Sequence, residues 1–200
     1  MNVWFGGTEA GAAIADVLTG KVSPTGKLTM SFPRVTGQCP IYYNHKMTGR
    51  PMSPDAWYTR YVSNYIDVLN EPLYPFGYGL SYTTFSYSAP QSTQKEYTRQ
   101  ETISVSVTVT NTGDRDGEET VQLYVNDKVA SVVRPVKELK AFKKIFLKAG
   151  ESKTVQFDIS PLALGFYDAA MNYVVEPGEF EIMTGCNSND LQTISVKLIN

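Results

Sequence analysis

Short alternating runs of apolar and polar residues occupy the chain from about residue 83 to its end. Turn-forming stretches at residues 111–114, 149–151 and 177–178 separate runs that recur at roughly ten-residue spacing. The apolar positions of these runs, in chain order, are Ile103, Val105, Val107, Val109, Val121, Leu123, Val125, Val136, Leu139, Phe142, Ile145, Leu147, Val155, Phe157, Ile159, Phe180, Ile182, Met183, Ile194, Val196 and Leu198. Seven or eight short strands of this kind predict a β-sandwich or a barrel.

The first 35 residues show a different pattern, in which one helix lies between two extended segments. Residues 3–5 are predicted to end a strand, Thr8 to cap the helix and Glu9 to occupy its first turn. Gly20 suits the position just after the helix. Helical spacing relates the apolar residues Ala10, Ala13, Ile14, Val17 and Leu18. A second strand, which Pro33 ends, is predicted from the alternation of Leu28, Met30 and Phe32.

One helix and two strands are only a fragment of an α/β layer, because a parallel sheet needs several strands and helices on both faces. We therefore expect the natural protein to continue before Met1. Association of the isolated chain is expected from the exposed side chains of Ile14, Val17, Leu18 and Phe32. Residues 36–80 are rich in Pro, Gly and Tyr without a clear period, which predicts a long irregular connecting segment.

Composition places the chain among ordinary globular proteins, with 42% hydrophobic and 19% charged residues. The net charge of −2, with acids and bases interspersed, argues against a nucleic-acid partner. No apolar run approaches the ~20 residues of a membrane span, and no signal peptide is visible at the first residues.

Few residues suggest chemistry that depends on a metal or a cofactor, and we expect neither. Cys39 and Cys186 are far apart, and we interpret them as two free thiols, with a disulfide left open as the alternative. His45 is the only histidine, and no nucleophile elbow or phosphate-binding loop accompanies it. Glu9 is interpreted as a first-turn acid that complements the helix dipole, and Asp16 as a solvated helix position. The basic residues Arg134, Lys137, Lys140, Lys143 and Lys144 are interpreted as a solvated strand face.

The run LYPFGYGLSYTTF at residues 73–85 contains two glycines among aromatic residues, which is typical of a rigid junction between two packed bodies. It resembles the signature that ends the second domain of glycoside hydrolase family 3 enzymes and opens their fibronectin type III-like domain. Six further segments resemble this family in the same order, the last three its periplasmic bacterial β-glucosidase branch: GGTEAG at 6–11, ADVLTG at 15–20, SPTGKL and SFP within 23–33, YYNH at 42–45, TGRP at 48–51 and YTRY at 58–61.

The resemblance implies a mostly β fold in three parts. A C-terminal remnant of an α/β sandwich domain spans residues 1–35, and the irregular connecting segment spans 36–80. A fibronectin III-like (immunoglobulin-like) β-sandwich then spans 81–200. The partners it implies are the N-terminal barrel and the α/β domain of the parent enzyme, in the same chain or in a separate one.

The resemblance also implies a retaining glycosidase that acts on β-linked glucosides or xylosides without a cofactor, in the periplasm or outside the cell. Such an enzyme uses two carboxyl groups about 5 Å apart. In the family, the nucleophilic aspartate belongs to the barrel, and the acid/base glutamate precedes the segment that residues 1–33 match. Neither motif occurs in this sequence, so we expect no catalytic residue here and an inactive isolated chain.

Two interpretations remain open for His45, namely a loop side chain bonded to the backbone or, with Arg50 and Trp57, the rim of the sugar pocket of the complete enzyme. Arginine and tryptophan suit sugars through paired hydrogen bonds and ring stacking. An aromatic helical face, better explained by packing than by sugar binding, is suggested by Trp57, Tyr58, Tyr61 and Tyr65. For the whole chain, the alternatives are a free-standing carbohydrate-binding or adhesion module and one subunit of a split glycosidase.

Overall fold

We analysed a computed structural model, which describes residues 1–51 and 60–200. Within these residues, the regular structure is mostly β and begins in earnest at residue 85. The helices are α1 (Ala10–Leu18) and two 3-10 turns (Thr36–Gln38 and Pro161–Leu164). The strands are β1 (Phe85–Tyr87), β2 (Gln91–Ser92), β3 (Glu96–Thr98), β4 (Ile103–Asn111), β5 (Gly117–Asp127), β6 (Glu138–Leu147), β7 (Ser152–Ile159), β8 (Phe166–Tyr167), β9 (Tyr173–Val174), β10 (Gly178–Gly185) and β11 (Leu191–Ile199).

Two sheets face each other and form the predicted sandwich. One has the order β3-β11-β10-β5-β6, and in the other β4 pairs with β7 on one side and with β1 and β2 on the other. All pairings are antiparallel except that of β3 with β11. Strands β8 and β9 form a separate small hairpin. The antiparallel arrangement lets each sheet bury one face and expose the other.

The core lies between the two sheets, where the sequence alternation predicts it. Along β4, every second residue from Ile103 to Asn111 is buried, while the residues between them are half-buried. The core also receives the predicted apolar residues of β5, β7, β10 and β11, except Met183, which follows Ile182 and points to the other face of its sheet. The outward positions of β4 carry hydroxyl groups that meet those of β7, as in the Thr108–Thr154 pair at 3.0 Å.

Strand β6 departs from the expected pattern at one aromatic position. Ile145 and Leu147 are buried, but Phe142 is 65% exposed. Successive side chains of a strand point to opposite faces, so Phe142, three residues before Ile145, points away from the core. The pairing of β5 with β6 also shifts register between Leu123 and Tyr124, which interrupts the alternation along β6.

The helix of residues 1–35 forms as predicted, but the flanking strands do not. Glu9 rather than Thr8 is the N-cap residue of α1, and it makes no side-chain capping bond. Gly20 follows the C-cap with φ of +75°, as expected after a helix. Residues 3–5 and 28–32 lack strand pairing, apart from one β-bridge from Phe32 to Tyr74. The prediction of a second strand is wrong, because residues 28–32 pair with the irregular segment 73–78 and not with a neighbouring strand.

Candidate functional site

The glycine-aromatic run at residues 73–85 joins the first 35 residues to the sandwich. Leu28 donates its backbone N–H to Tyr78 and accepts one from Gly77, both at 2.8 Å. On the other side, the Gln122 side chain donates to the Gly77 carbonyl at 3.1 Å and to Cys186 at 2.7 Å. Gly77 has φ of +78°, and a Cβ there would overlap the Gln122 amide. Glycine is therefore required at this contact by both backbone conformation and space.

Aromatic rings continue the same junction on both sides. Trp4 and Phe32 from the first segment meet edge to face, and Phe32 meets Tyr74, which stacks on Tyr78 at 5.1 Å. From the connecting segment, Tyr43 stacks on Phe76 at 4.2 Å. Tyr43 also meets Tyr124 of β5, so this segment covers the outer face of the five-stranded sheet at that position.

A buried ion pair links the first segment to β5. Lys27 Nζ lies 2.9 Å from Glu119 Oε1, and only 15% and 5% of the two side chains are exposed. The Tyr87 hydroxyl donates to the same carboxylate oxygen at 2.8 Å. Burial, followed by the nearby Glu119 charge, raises the pKa of Tyr87, so this hydroxyl remains a donor. Burial of both charges in one pair makes this contact sensitive to the loss of either partner.

A cavity of about 790 Å³ opens between the connecting segment and the sandwich. Its volume falls in the range of small-molecule sites, about 300–1,000 Å³. Most of its wall comes from residues 40–43, 45–48, 51, 63–65 and 69–72. The sandwich contributes Lys137, Ser188 and Asn189. Local sequence gives no signal for these three residues, because they come from positions far from the connecting segment.

The predicted sugar-pocket residues are only partly brought together. His45 lines this cavity, is exposed, and its Nδ1 lies 3.4 Å from the Lys46 carbonyl oxygen. Its own carbonyl accepts the Val136 N–H at 2.9 Å, which ties the segment to the sandwich. Arg50 is exposed and does not line the cavity. Trp57 lies outside the described residues.

The predicted aromatic helical face is not found in the part that the structure describes. Trp57 and Tyr58 lie outside the described residues. Tyr61 has φ of 65° and is 81% exposed, and residues 60–65 form turns and a bridge. Tyr65 is half-buried, and its hydroxyl donates to the Gln38 carbonyl at 3.0 Å. Tyr65 therefore acts in packing.

The surroundings of Glu9, Asp16 and Asp127 are explained by the fold and do not indicate catalysis. Glu9 is exposed and Asp16 pairs with Lys21 at 3.0 Å. Burial raises the pKa of Asp127, partly offset by Arg134, but the adjoining cavity of about 10 Å³ is too small for a sugar. Within residues 1–51 and 60–200, no group of His, Cys, Asp and Glu is placed to hold a metal ion.

The predicted solvated basic face is wrong for two of its residues. Arg134 lies 4.5 Å from the centre of the Phe166 ring and pairs with Glu138 at 3.1 Å. Lys137 is half-buried, and burial lowers its pKa, partly offset by Glu71. Lys144 is closer to the predicted solvated position, since it is exposed and pairs with Glu118 at 2.7 Å.

Both cysteines are free thiols, as the sequence favours. Cys39 is exposed and Cys186 is half-buried. Burial, with a further contribution from Asp190, raises the pKa of Cys186 to about 11.

Among the described helices, none combines the length and apolar character needed to cross a membrane.

Comparison with known proteins agrees with these observations. The profile of the glycosyl hydrolase family 3 C-terminal domain matches residues 1–82, and that of the fibronectin type III-like domain matches residues 119–188. A periplasmic β-glucosidase of Salmonella typhimurium is 49% identical over 100% of this chain and 26% of its own length. The chain belongs to glycoside hydrolase family 3 and corresponds to a C-terminal portion of its enzymes.

Other glycosidases match the chain over nearly its whole length. A β-xylosidase of Formosa agariphila is 46% identical over 98% of this chain and 26% of its own length. A β-glucosidase from Listeria innocua, solved in complex with glucose, is 47% identical with a TM-score of 0.94. The match covers 100% of this chain and 28% of the Listeria chain. The chain thus spans about a quarter of the length of these relatives.

Proposed function

We propose that this chain is the non-catalytic C-terminal part of a β-glucosidase-like glycoside hydrolase, in which the sandwich braces the catalytic domains. The main support is helix α1, which has no buried residue although it is amphipathic. Its neighbours Trp4 and Phe5 are also exposed, at 57% and 103%. An apolar surface of this kind is typical of a contact with another folded body.

The bracing role requires that this surface be held firmly to the sandwich. The buried Lys27–Glu119 pair and the contact of Gly77 with Gln122 provide such attachments. Lys144 Nζ adds a bond to Thr25 Oγ1 at 2.8 Å. In this proposal residues 1–35 are the end of the α/β sandwich domain, 36–80 the connecting segment and 81–200 the sandwich domain. A force on the α/β domain would pass directly into β5 and β6.

For the complete enzyme, we propose retaining hydrolysis of β-linked glucosides or xylosides in the periplasm or outside the cell. The names of the Salmonella and Formosa relatives support the substrate class, and that of the Salmonella protein the location. The chemistry needs two carboxyl groups about 5 Å apart, which the barrel and the α/β domain would supply.

We further propose, from the sequence, that His45, Arg50 and Trp57 approach the sugar pocket of that complete enzyme. His45 and Arg50 are exposed on the connecting segment, so both are accessible to a substrate or to a neighbouring domain. Exchanging Arg50 for Lys in an active full-length enzyme would test this role, because lysine keeps the charge but not the paired geometry. A raised KM for aryl β-glucoside with unchanged kcat is expected, and an unchanged KM would contradict the role.

Hydrolysis of an aryl β-glucoside by a chimera tests the main proposal. In this chimera the chain replaces the matched C-terminal quarter of the Salmonella β-glucosidase. We expect the 200-residue chain alone to give no turnover above a blank. The chimera should regain a rate within about tenfold of the intact relative, since its carboxyl pair is unchanged and its support restored.

The Salmonella protein without its C-terminal quarter is the control, and it should have lower activity or a shorter lifetime than the chimera. Equal activity and lifetime of this truncated protein would remove the bracing role. Turnover by the isolated chain that survives repurification would mean that it carries its own carboxyl pair. A chimera that folds but stays inactive would contradict the proposed equivalence of the two C-terminal parts.

A further inference from the structure

The cavity of about 790 Å³ contains a cation that the rest of the described chain does not neutralise. Lys137 Nζ donates to the Ser188 carbonyl at 2.6 Å. In residues 1–51 and 60–200, no carboxylate lies within 4.0 Å of Lys137 Nζ. Of the lysines in the following strand β6, Lys140 and Lys144 have acidic partners, whereas Lys143 donates to the Gln156 carbonyl. A half-buried ammonium with spare donors favours an anionic ligand.

The charge of the cavity wall also favours an anion. Its described lining contains two lysines, Lys46 and Lys137, and one acid, Glu71, which gives a net charge of +1 with His45 neutral. Burial lowers the pKa of Lys137, which means that the surrounding residues compensate its charged form only in part. Glu71 opposes this effect only from a distance, because it is not within ion-pair range.

The remaining wall offers groups that suit a polyhydroxy ligand. The Tyr42 ring is 62% exposed and is free to cover the C–H face of a sugar. Tyr43 is already stacked on Phe76 and forms a fixed floor. Hydroxyl groups of Thr48 and Ser63, bonded to each other at 2.6 Å, line the opening. This combination of an aromatic face and several hydroxyls is typical of sugar sites.

We propose that this cavity binds an acidic saccharide, with the sugar carboxylate on Lys137 and its ring against Tyr42. The carboxylate would accept charge-assisted hydrogen bonds from Lys137 Nζ. The sugar hydroxyls would meet Thr48, Ser63 and the Asn189 side chain. This inference does not rest on the proposed hydrolase function, since the site needs only the 200-residue chain and makes or breaks no bond.

Titration of the ¹⁵N-labelled 200-residue chain with D-glucuronate and, separately, D-glucose tests the inference, because the two sugars differ only in the carboxylate. We expect glucuronate to shift the amide signals of Lys137, Ser188 and Asn189. Glucose should bind at least about tenfold more weakly, since it lacks the charged acceptor. Equal affinity for the two sugars, or shifts confined to other parts of the chain, would overturn the proposal. Acetate with the affinity of glucuronate would overturn its saccharide part.

Variants at two lysines separate the proposed contact from general charge attraction. Lys137→Met should weaken glucuronate about tenfold and leave glucose unchanged, whereas Lys137→Arg, which keeps the charge, should retain a preference for glucuronate. Lys148→Met, at an exposed turn outside the cavity, is the matched control and should bind glucuronate as the parent does. An unchanged preference in Lys137→Met with native amide dispersion would contradict the assignment, as would a loss equal to that in Lys148→Met.

Discussion

At the scale of single residues, Gly77 shows how one position can serve two constraints. Its φ of +78° disfavours any side chain, and its neighbour Gln122 leaves no room for a Cβ. Gly150 has almost the same φ, +77°, but no atom lies within 4 Å of its notional Cβ. Comparing Gly77 with Gly150 therefore separates the effect of backbone conformation from the effect of crowding.

We predict that Gly77→Ala lowers the free energy of unfolding by about 3 kcal/mol, because left-handed strain adds to displacement of the Gln122 amide. Gly150→Ala should cost only about 1 kcal/mol, from strain alone. Chemical denaturation of both variants measures the difference. Equal losses would show that Gln122 moves aside without cost.

Alkaline stability should depend on Cys186. Its pKa is raised to about 11 in the folded chain, so between about pH 9 and 11 the unfolded chain binds fewer protons than the folded one. The free energy of unfolding must then fall as the pH rises through this window, and it is unaffected below it. Tyr87 and Tyr124, whose pKa values burial also raises, contribute in the same direction.

Cys186→Ala should therefore show a shallower loss of stability between pH 9 and 11 than the parent. Cys39→Ala, at an exposed site, is the control and should follow the parent curve. The comparison is made by urea denaturation at each pH. A Cys186→Ala curve parallel to that of the parent would mean that the thiol has the same pKa in both states.

At the scale of elements, the sequence pattern predicted those features that depend on neighbouring residues in the chain. Alternation along β4 identified its buried face because sheet geometry alone fixes that period. The strand predicted at residues 28–32 did not form, since its partner 73–78 is itself irregular. Phe142 was grouped with the apolar positions of its run, but it lies three residues before Ile145 and therefore on the opposite face of β6. Pairing partners are tertiary information, which apolar periodicity does not contain.

Helix α1 should affect association more than stability. Leu18 is 67% exposed, so we expect Leu18→Glu to change the free energy of unfolding by no more than about 0.5 kcal/mol. It should, however, reduce self-association of the 200-residue chain, which sedimentation velocity measures. Val129→Glu, at an 80% exposed site in the sandwich, is the control. Equal effects of the two changes would remove any special role of the helix surface.

At the scale of the whole molecule, the candidate cavity was not predicted from the sequence. His45 was singled out for the sugar pocket of the complete enzyme, whereas no role in a cavity was assigned to Lys137, Ser188 or Asn189. These three residues reach the cavity through folding of the sandwich, and nothing in their local sequence marks them. The junction was recognised because its glycines and aromatics are contiguous at residues 73–85.

The attachment of the first segment to the sandwich should depend on the Lys27–Glu119 pair. Lys27→Met leaves the buried Glu119 without its ion-pair partner and with only the Tyr87 hydroxyl as a side-chain donor, and we expect a loss of about 3 kcal/mol in the free energy of unfolding. Lys21→Met removes an exposed pair, with the lysine side chain 71% exposed, and should cost less than about 0.5 kcal/mol. Adding Glu119→Gln to Lys27→Met should recover part of the loss. Similar losses in the two lysine variants would contradict the importance of burial.

Strand β11 lies between β3 and β10, and its parallel partner β3 begins about a hundred residues earlier, as in the pairing of Glu96 with Lys197. During synthesis, nearly the whole sandwich must therefore be translated before β3 can pair with β11. Contacts of such long range slow folding and leave strand edges open in the meantime. If the ribosome pauses between β10 and β11, the edges of β3 and β10 stay unpaired. The timing of translation therefore becomes a determinant of whether this protein aggregates.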